Sequence, residues 1–259
     1  MLIDSHCHLS YDFAPKSVDD IVREARENGV ETLITIGTDM KNLPEVQALS
    51  ERFDCVYHTV GVHPHDAIDI ADSDIIEIET RARHPRCVAV GEIGLDYHYD
   101  HSPRDVQQKR LRDQLAVAAR VGKPVIIHSR EAEPDLLAAL TEYARGLAPG
   151  RIPGVIHCFS GTREFGQSCL ELGFYISFSG ILTFKNAEEL RQAAREYPLE
   201  RILVETDSPY LAPIPFRGKK CEPSMVRLTA QKLAEVRGLS FDRIAQATTA
   251  NAKRFFGIS

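Results

Sequence analysis

Residues 1–9, MLIDSHCHL, join a short apolar run directly to two histidines. Leu2 to Asp4 has the composition of a buried strand, and His6 and His8 follow it closely. In an open doubly wound sheet, a glycine-rich phosphate loop would follow this first strand, and the sequence has none there. The stretch therefore favours a parallel barrel, with the open sheet as the alternative.

The strand signal recurs along the whole chain and alternates with helical patterns. Ser17 and Asp20 form a capping signal for a helix that ends before Gly29, and a second helical pattern runs from Arg104 to Val121 and stops at Gly122. Eight strand-helix units in a chain of this length predict an α/β fold, a closed (β/α)8 barrel of the TIM type. The eight predicted strands are Leu2 to Asp4, Thr32 to Ile36, Val56 to Val60, Val88 to Gly91, Val125 to Ile127, Val155 to Ile156, Tyr175 to Phe178 and Ile202 to Val204.

The composition is that of a soluble globular protein. Thirty-one Lys and Arg against 37 Asp and Glu give a net charge of −6, and 43% of the residues are hydrophobic. No apolar run reaches the ~18 residues of a membrane span, and no basic region followed by an apolar stretch opens the sequence, so we expect a cytoplasmic protein without membrane contact. No repeat or linker interrupts residues 1–259, which predicts a single domain, expected to be a monomer.

Cysteine usage and net charge argue against two kinds of site. The six cysteines include no CxxC pair, so neither a disulfide framework nor a cysteine-type zinc module is indicated. The acidic balance, with an isoelectric point of about 5.9, argues against a broad surface that coats nucleic acid. A small basic patch or bound metal ions would still attract phosphate.

Polar side chains follow the predicted strands. In a parallel barrel the carboxyl ends of all strands meet at one face, which is where barrel enzymes carry their chemistry. Six of the ten histidines occupy such positions. The residues concerned are His6, His8, His63, His65, Glu92, His128, His157, Glu205 and Asp207.

Each of these residues also has a structural explanation when taken alone. A histidine pair after a strand is compatible with a satisfied polar core, Glu92 with a buried salt bridge, and Asp207 with a turn. Jointly, four imidazoles and two carboxylates from five strands would repel one another or stay unsatisfied unless cations gathered them. The pattern therefore predicts a metal site made of His6, His8, Glu92, His128, His157 and Asp207.

Six ligands exceed the needs of one tetrahedral zinc ion and suit two divalent ions with open positions. We assign His6, His8 and Asp207 to one ion and His128 and His157 to the other, with Glu92 as the bridge. A carboxylated lysine is the alternative bridge in some barrel hydrolases, but Lys123 precedes its strand and would lie at the wrong end. Mixed nitrogen and oxygen ligands suit Zn or Mn and tolerate Mg.

A series of motifs extends over nearly the whole chain. The motifs are, in order, DSHCHL, VGVHPH, VGEIGLDYHYD, PVIIHSREA, HCFSG, ISFSGILTF, ILVETDSPYLAP, RGKKCEP and ANAKRFFG. This series resembles that of the TatD family of metal-dependent deoxyribonucleases, within the amidohydrolase barrels. The resemblance implies a TIM-type barrel, a two-metal site and hydrolysis of nucleic-acid phosphodiesters, with the family's metal ligands falling on the six residues assigned above. Cys221 departs from the family, which often has Asn before the Glu-Pro, and this affects only the basic rim loop.

The function that the resemblance implies is that of a two-metal nuclease acting on DNA or another nucleic acid, with an expected preference for ends or single strands. A hydroxide bridging the metals is the expected nucleophile, with Glu92 and Asp207 as catalytic ligands, Asp207 also accepting a proton, and His63 as a phosphate-binding or proton-donating group. The alternatives are an ester or amide hydrolase such as a D-aminoacyl-tRNA deacylase, or a non-catalytic, metal-stabilised quality-control protein.

Weaker signals surround the predicted centre. His65 and Arg130 are candidate substrate contacts, as are Arg217, Lys219 and Lys220 in the loop after the last strand, although charge runs are often only solvated. Glu205 is expected to orient a ligand histidine. Tyr97 and Tyr99 are candidates to stack on a base, with packing at the barrel rim as the alternative.

Overall fold

A computed structural model describes residues 1–259, and its eight parallel strands form one sheet in sequence order. Each strand pairs with the next along the chain. The segment after the last strand returns to the first: the Asp207 N–H donates to the His6 carbonyl (2.9 Å) and the His8 N–H to the Ser208 carbonyl (2.8 Å). These bonds close the sheet, which confirms the predicted single-domain (β/α)8 TIM-type barrel.

Seventeen strands and helices build the barrel. The strands are β1 (Leu2–Cys7), β2 (Val30–Thr35), β3 (Val56–Val60), β4 (Cys87–Asp96), β5 (Val125–Arg130), β6 (Gly154–Ile156), β7 (Tyr175–Phe178) and β8 (Ile202–Val204). The helices are α1 (Val18–Glu27), α2 (Leu43–Arg52), α3 (Asp72–Ala82), α4 (Arg104–Val121), α5 (Glu133–Gly146), α6 (Arg163–Glu171), α7 (Glu188–Glu196), α8 (Val226–Arg237) and α9 (Phe241–Phe256).

The capping signals in the sequence correctly predicted where one helix begins and where another ends. Ser17 accepts a hydrogen bond from the Asp20 N–H, and the Asp20 carboxylate accepts one from the Ser17 N–H, so α1 begins with a complete capping box. Helix α4 ends at Gly122, whose φ of +77° is a left-handed conformation that favours glycine.

Three strands are longer than predicted. β1 reaches Cys7, β4 reaches Asp96 and β5 reaches Arg130, so His6, Glu92 and His128 lie within strands rather than after them. The prediction stopped each strand where the apolar run ended. Backbone pairing does not depend on side-chain polarity and continues to the carboxyl end, where polar side chains face the barrel axis.

The barrel interior is closed at its amino-terminal end by α9. Phe255 and Phe256 pack with Ile3, Ile126 and other strand residues in one buried cluster, and the Phe255 and Tyr175 rings lie 5.3 Å apart. A larger cluster fills the layer between the strands and the surrounding helices. The carboxyl end is therefore the end of the barrel left to form a cavity. None of the helices combines the length and apolar character that a membrane span requires.

Candidate metal centre

A cavity of about 430 Å³ opens at the carboxyl end of the barrel. Five of the six predicted metal ligands line it, and His6 lies fully buried beside them. His63, His65 and Arg130, predicted as catalytic or substrate contacts, also line the cavity. The volume falls in the range of ~300–1,000 Å³ typical of small-ligand sites.

Glu92 lies at the centre of this arrangement and is only 3% exposed. Its Oε2 atom is 3.4 Å from His6 Nε2. Its Oε1 atom is 2.7 Å from His157 Nε2 and 3.0 Å from His128 Nδ1. The two oxygens of one carboxylate therefore face two different groups of histidines, as a bridging position requires.

Asp207 faces the first of these groups. Its Oδ1 atom is 3.2 Å from His8 Nε2 and 3.6 Å from His6 Nε2. Asp207 has a φ of +57°, an uncommon left-handed conformation for a residue other than glycine. The hydrogen bond from its N–H to the His6 carbonyl fixes this turn against β1, so Asp207 and His6 approach each other.

The carboxylates are held in their ionised forms. Burial opposes the charge of Glu92, but the neighbouring His157 and His63 and hydrogen bonds from His128 and His157 hold the pKa of that carboxyl well below its usual range. Burial likewise opposes the charge of Asp207, and His8 and His6 lower the pKa of its carboxyl.

The pKa values of the buried imidazoles are shifted in both directions. Burial and the adjacent His157 lower the pKa of His6, whereas Glu92 and Glu205 outweigh burial and raise the pKa of His157. The two rings stack 3.9 Å apart, nearly parallel. Burial also lowers the pKa of His63 to about 4. His6 and His63 are therefore neutral near pH 7, and in each ring one nitrogen carries the proton while the other has a lone pair.

Unpaired buried atoms test whether these residues fit a metal. Both ring nitrogens of His6 and Nδ1 of His8 are buried without a hydrogen-bond partner. Each such atom costs about 1–3 kcal/mol unless something satisfies it. Ligand atoms of His6, His8 and Glu92 lie within 4.8 Å of one another, and on the other side of the carboxylate His128 Nδ1 and His157 Nε2 lie 3.0 and 2.7 Å from Glu92 Oε1. The donor set therefore fits divalent cations on both sides of Glu92.

Two further carboxylates contact the predicted ligand histidines. Glu205 Oε1 lies 3.3 Å from His157 Nδ1 and accepts a hydrogen bond of 2.7 Å from the Cys158 N–H, contacts compatible with the orienting role predicted for Glu205. The other Glu205 oxygen, Oε2, is buried without a partner.

Asp96 was not among the predicted site residues. Its Oδ2 atom is 3.0 Å from both His128 Nε2 and His65 Nε2, and its Oδ1 atom accepts hydrogen bonds from the Tyr99 and His98 N–H groups. Because Asp96 holds Nε2 of His128, Nδ1 is left facing Glu92. The even spacing from Glu92 along one strand was the available signal, since residues i and i+4 of a strand share a face.

Asp4 is a second omission. It is fully buried and accepts hydrogen bonds from the Thr206 N–H (2.9 Å) and the Thr206 hydroxyl (2.6 Å). Burial raises the pKa of its carboxyl well above the usual range. Asp4 thus anchors the backbone that carries Asp207 to β1. Its position one residue after an apolar pair gave no sign of this contact across 202 residues.

The predicted basic rim divides in two. Arg130 lines the cavity, with its guanidinium 5.2 Å from the Tyr99 ring centroid. The other three cations do not line it: Arg217 stacks on Phe184 at 3.8 Å, Lys219 lies 5.7 Å from the Phe216 ring, and Lys220 pairs with Asp12 at 2.8 Å.

Of the two tyrosines predicted near the site, only one lines the cavity, and Lys123 lies far from it. Tyr99 lines the cavity, whereas the Tyr97 hydroxyl donates to Asp135 (2.8 Å) outside it. Tyr210, which was not singled out from the sequence, also lines the cavity. Lys123 lies at the opposite end of the barrel, where its ammonium donates to the Cys87 carbonyl, as expected from its position before β5.

The chain is similar in sequence and in structure to several known proteins. Residues 3–257 match the family described as TatD related DNase. The uncharacterized metal-dependent hydrolase YabD of Bacillus subtilis is 39% identical over 259 residues, covering 100% of both chains. The 3'-5' ssDNA/RNA exonuclease TatD of Citrobacter koseri is 35% identical over 94% of both chains. The crystal structure of YJJV, a TatD homologue from Escherichia coli, superposes with a TM-score of 0.90 at 32% identity, covering 100% of this chain and 98% of the other.

Proposed function

The chain belongs to the TatD family of metal-dependent hydrolases, and from that membership we propose that it is a nuclease, a two-metal hydrolase of phosphodiester bonds in DNA or RNA that acts on single strands or ends. The observation that carries the proposal is Glu92, whose two oxygens face separate histidine groups. The name of the Citrobacter koseri relative, a 3'-5' ssDNA/RNA exonuclease, supports the choice of substrate.

Two divalent ions, of Zn, Mn or Mg, are expected on the two sides of Glu92. His6, His8 and Asp207 would hold one ion. His128 and His157 would hold the other, and Glu92 would span both. When bound, such ions polarise a phosphoryl oxygen and lower the pKa of water to near neutrality.

Asp207 is the expected proton acceptor. Its Oδ1 atom faces His8 and His6, which leaves Oδ2 free at the cavity wall. The Asp207 side chain is 15% exposed, compared with 4% for that of Glu92, so it can reach a water molecule that attacks the phosphorus. A carboxylate in this position would take the proton of that water.

His63 is the expected partner of the leaving oxygen. Its Nδ1 atom accepts a hydrogen bond from the His65 N–H (3.2 Å), so the ring proton is on Nε2. Nε2 points toward the centre, 3.4 Å from Glu92 Oε1. A neutral imidazole with this tautomer can donate a hydrogen bond to the departing oxygen. Arg130, on the wall of the same cavity, would bind an adjacent phosphate.

The test is hydrolysis by protein reconstituted separately with Zn, Mn and Mg. The substrates are end-labelled single-stranded DNA, RNA and duplex DNA, with a panel of acyl esters that includes D-aminoacyl-tRNA. We expect cleavage of the single strands from an end. The Asp207→Asn variant should fold normally and lose at least about 100-fold in kcat, because an amide cannot accept the proton. Acyl-ester hydrolysis without nucleic-acid cleavage would replace the nuclease by the esterase alternative.

A further inference from the structure

Two exposed tyrosines lie at the mouth of the cavity. Tyr99 is 51% exposed and Tyr210 is 54% exposed, and they are the only aromatic residues among the exposed large hydrophobic side chains of the chain. Both line the cavity that contains Glu92. Exposed aromatic rings beside a concave polar site mark a surface that a ligand covers.

The topology places these rings on opposite walls. Tyr99 follows β4 and Tyr210 follows β8, and the eight strands are arranged in sequence order around the barrel. β4 and β8 are therefore half a turn apart. A substrate strand that lies across the cavity from one of these walls to the other would contact both tyrosines.

Tyr210 has no aromatic ring stacked parallel to its own. Its ring makes T-shaped contacts with His8 and Tyr11, at centroid distances of 6.2 and 6.1 Å. The Tyr210 N–H donates to the Asp207 carbonyl (3.0 Å). This bond fixes the backbone of Tyr210 three residues from Asp207, so the side chain starts from a defined position beside the cavity.

Tyr99 has a different environment on the opposite wall. Its N–H donates to Asp96 Oδ1 (2.9 Å), which ties the loop to β4. His101 lies parallel to its ring at 5.6 Å, and the Arg130 guanidinium lies 5.2 Å from the ring centroid. This wall joins an aromatic surface to a cation, the combination used to hold a base and its neighbouring phosphate.

We propose that Tyr210 stacks on an unpaired base of the substrate while Tyr99 and Arg130 hold the strand on the opposite wall, so that the site selects single strands and frayed ends. The inference rests on the proposed nuclease function and names its specificity-determining residue. A base within a duplex is covered on both faces by its neighbours and offers no face to Tyr210. Every base has a π face, so the contact is tolerant of sequence.

The test measures binding and hydrolysis in parallel. Binding is followed by fluorescence anisotropy of a labelled phosphorothioate oligonucleotide, and hydrolysis by kcat/KM on the same sequence with ordinary phosphates. Tyr210→Leu should weaken both by about 5- to 150-fold, the range of one base-aromatic stack, and Tyr210→Phe should stay within about twofold of the parent. Ile76→Ala, which truncates an exposed side chain on α3 away from the cavity, is the control for a surface substitution.

Oligonucleotides with an abasic residue at each position near the labelled end identify the stacked base. Removing that base should cost the parent about as much as Tyr210→Leu costs, and should cost the Tyr210→Leu variant little. Equal losses in both proteins at every position, or a Tyr210→Phe variant as weak as Tyr210→Leu, would overturn the stacking role. A parent that cleaves no nucleic acid would overturn the proposed function, and the anisotropy measurement would still decide whether Tyr210 binds a base.

Discussion

At the scale of single residues, the centre depends on Glu92 because it is the one carboxylate that faces both histidine groups. We expect Glu92→Ala to lower the bound metal from about two ions toward one and to abolish hydrolysis. Metal content is measured by elemental analysis of protein equilibrated with excess metal. Glu131→Ala, which removes an exposed glutamate paired with His98, is the control. An unchanged metal-to-protein ratio in Glu92→Ala would contradict the bridging assignment.

Asp96 gives a second prediction at this scale. Asp96→Asn replaces a carboxylate that holds His128 Nε2 with an amide of the same shape, so the ring loses its charged partner. We expect metal affinity to fall about 10- to 100-fold, the usual effect of such outer-shell changes, with an unaltered circular dichroism spectrum. Metal titration monitored by calorimetry measures the affinity. His65→Ala removes the other partner of Asp96 and should have the smaller effect; the reverse order would contradict the orienting role.

The residues predicted from the sequence and those missed differ in a physical way. His128 and His157 follow an apolar run immediately, and His6, His8 and Asp207 come within four residues of the end of a predicted strand, so parallel strands had to bring all five to one face. Asp96 lies five residues beyond the predicted end of its strand. Asp4 accepts a hydrogen bond from Thr206, a contact between the first strand and the segment that follows the last strand. Neither distance nor partner is encoded in local composition.

At the scale of elements, signals contained within a few residues were reliable. The capping box of α1 and the glycine that ends α4 depend only on neighbours in the chain. Several predicted strands ended too early at the carboxyl end of the barrel. Polar side chains replace apolar ones there, but the backbone hydrogen bonds between neighbouring strands continue. The role of α9 as the plug of the amino-terminal end depends on Phe255 and Phe256 meeting β7 and other strands, which a helical pattern alone does not specify.

His58 on β3 yields a prediction about pH and stability. It is buried between the strand and α2, with Nδ1 2.7 Å from the Ser50 hydroxyl, and burial together with the charges of His84 and Lys123 lowers its pKa from 6.5 to about 3. The unfolded chain therefore binds a proton below pH 6.5 that the folded protein does not bind until about pH 3. The free energy of unfolding should fall as the pH falls through this window.

The matched variant is His58→Gln, which keeps a hydrogen-bonding amide near Ser50 and does not titrate. Between pH 7 and pH 5 the parent should lose about 2 kcal/mol more stability than the variant, from about 1.4 kcal/mol for each pH unit below 6.5. Urea unfolding at both pH values gives the two free energies. Parallel losses in parent and variant would show that His58 titrates normally in the folded state.

For the molecule as a whole, the order of the eight strand-helix units was predictable. Each unit has a recognisable local sequence pattern, and parallel strands have few ways to close into a barrel. The division of the rim was not predictable. Arg130 and Arg217 both follow strands of the barrel, yet only Arg130 lines the cavity, because Arg217 stacks on Phe184 instead. The positions of these two arginines determine which cation can contact a phosphate inside the cavity.

The last prediction concerns this whole-molecule balance of charge. With a net charge of −6, a protein of the proposed function would bind nucleic acid through the candidate metal centre and a few local cations, so few phosphates would be neutralised. A footprint of two or three phosphates predicts a log-log salt slope of about −1.4 to −2.1 on single strands.

Arg130→Ala should raise KM for both a dinucleotide and a longer strand, because Arg130 lies on the cavity wall. The double variant Arg217→Ala/Lys219→Ala should raise KM and flatten the slope only for the longer strand, since these residues lie beyond the cavity. Arg83→Ala, on a distant exposed ion pair, is the control. A steep slope in the parent, or a dinucleotide KM unaffected by Arg130→Ala, would show that the strand is held by a different surface.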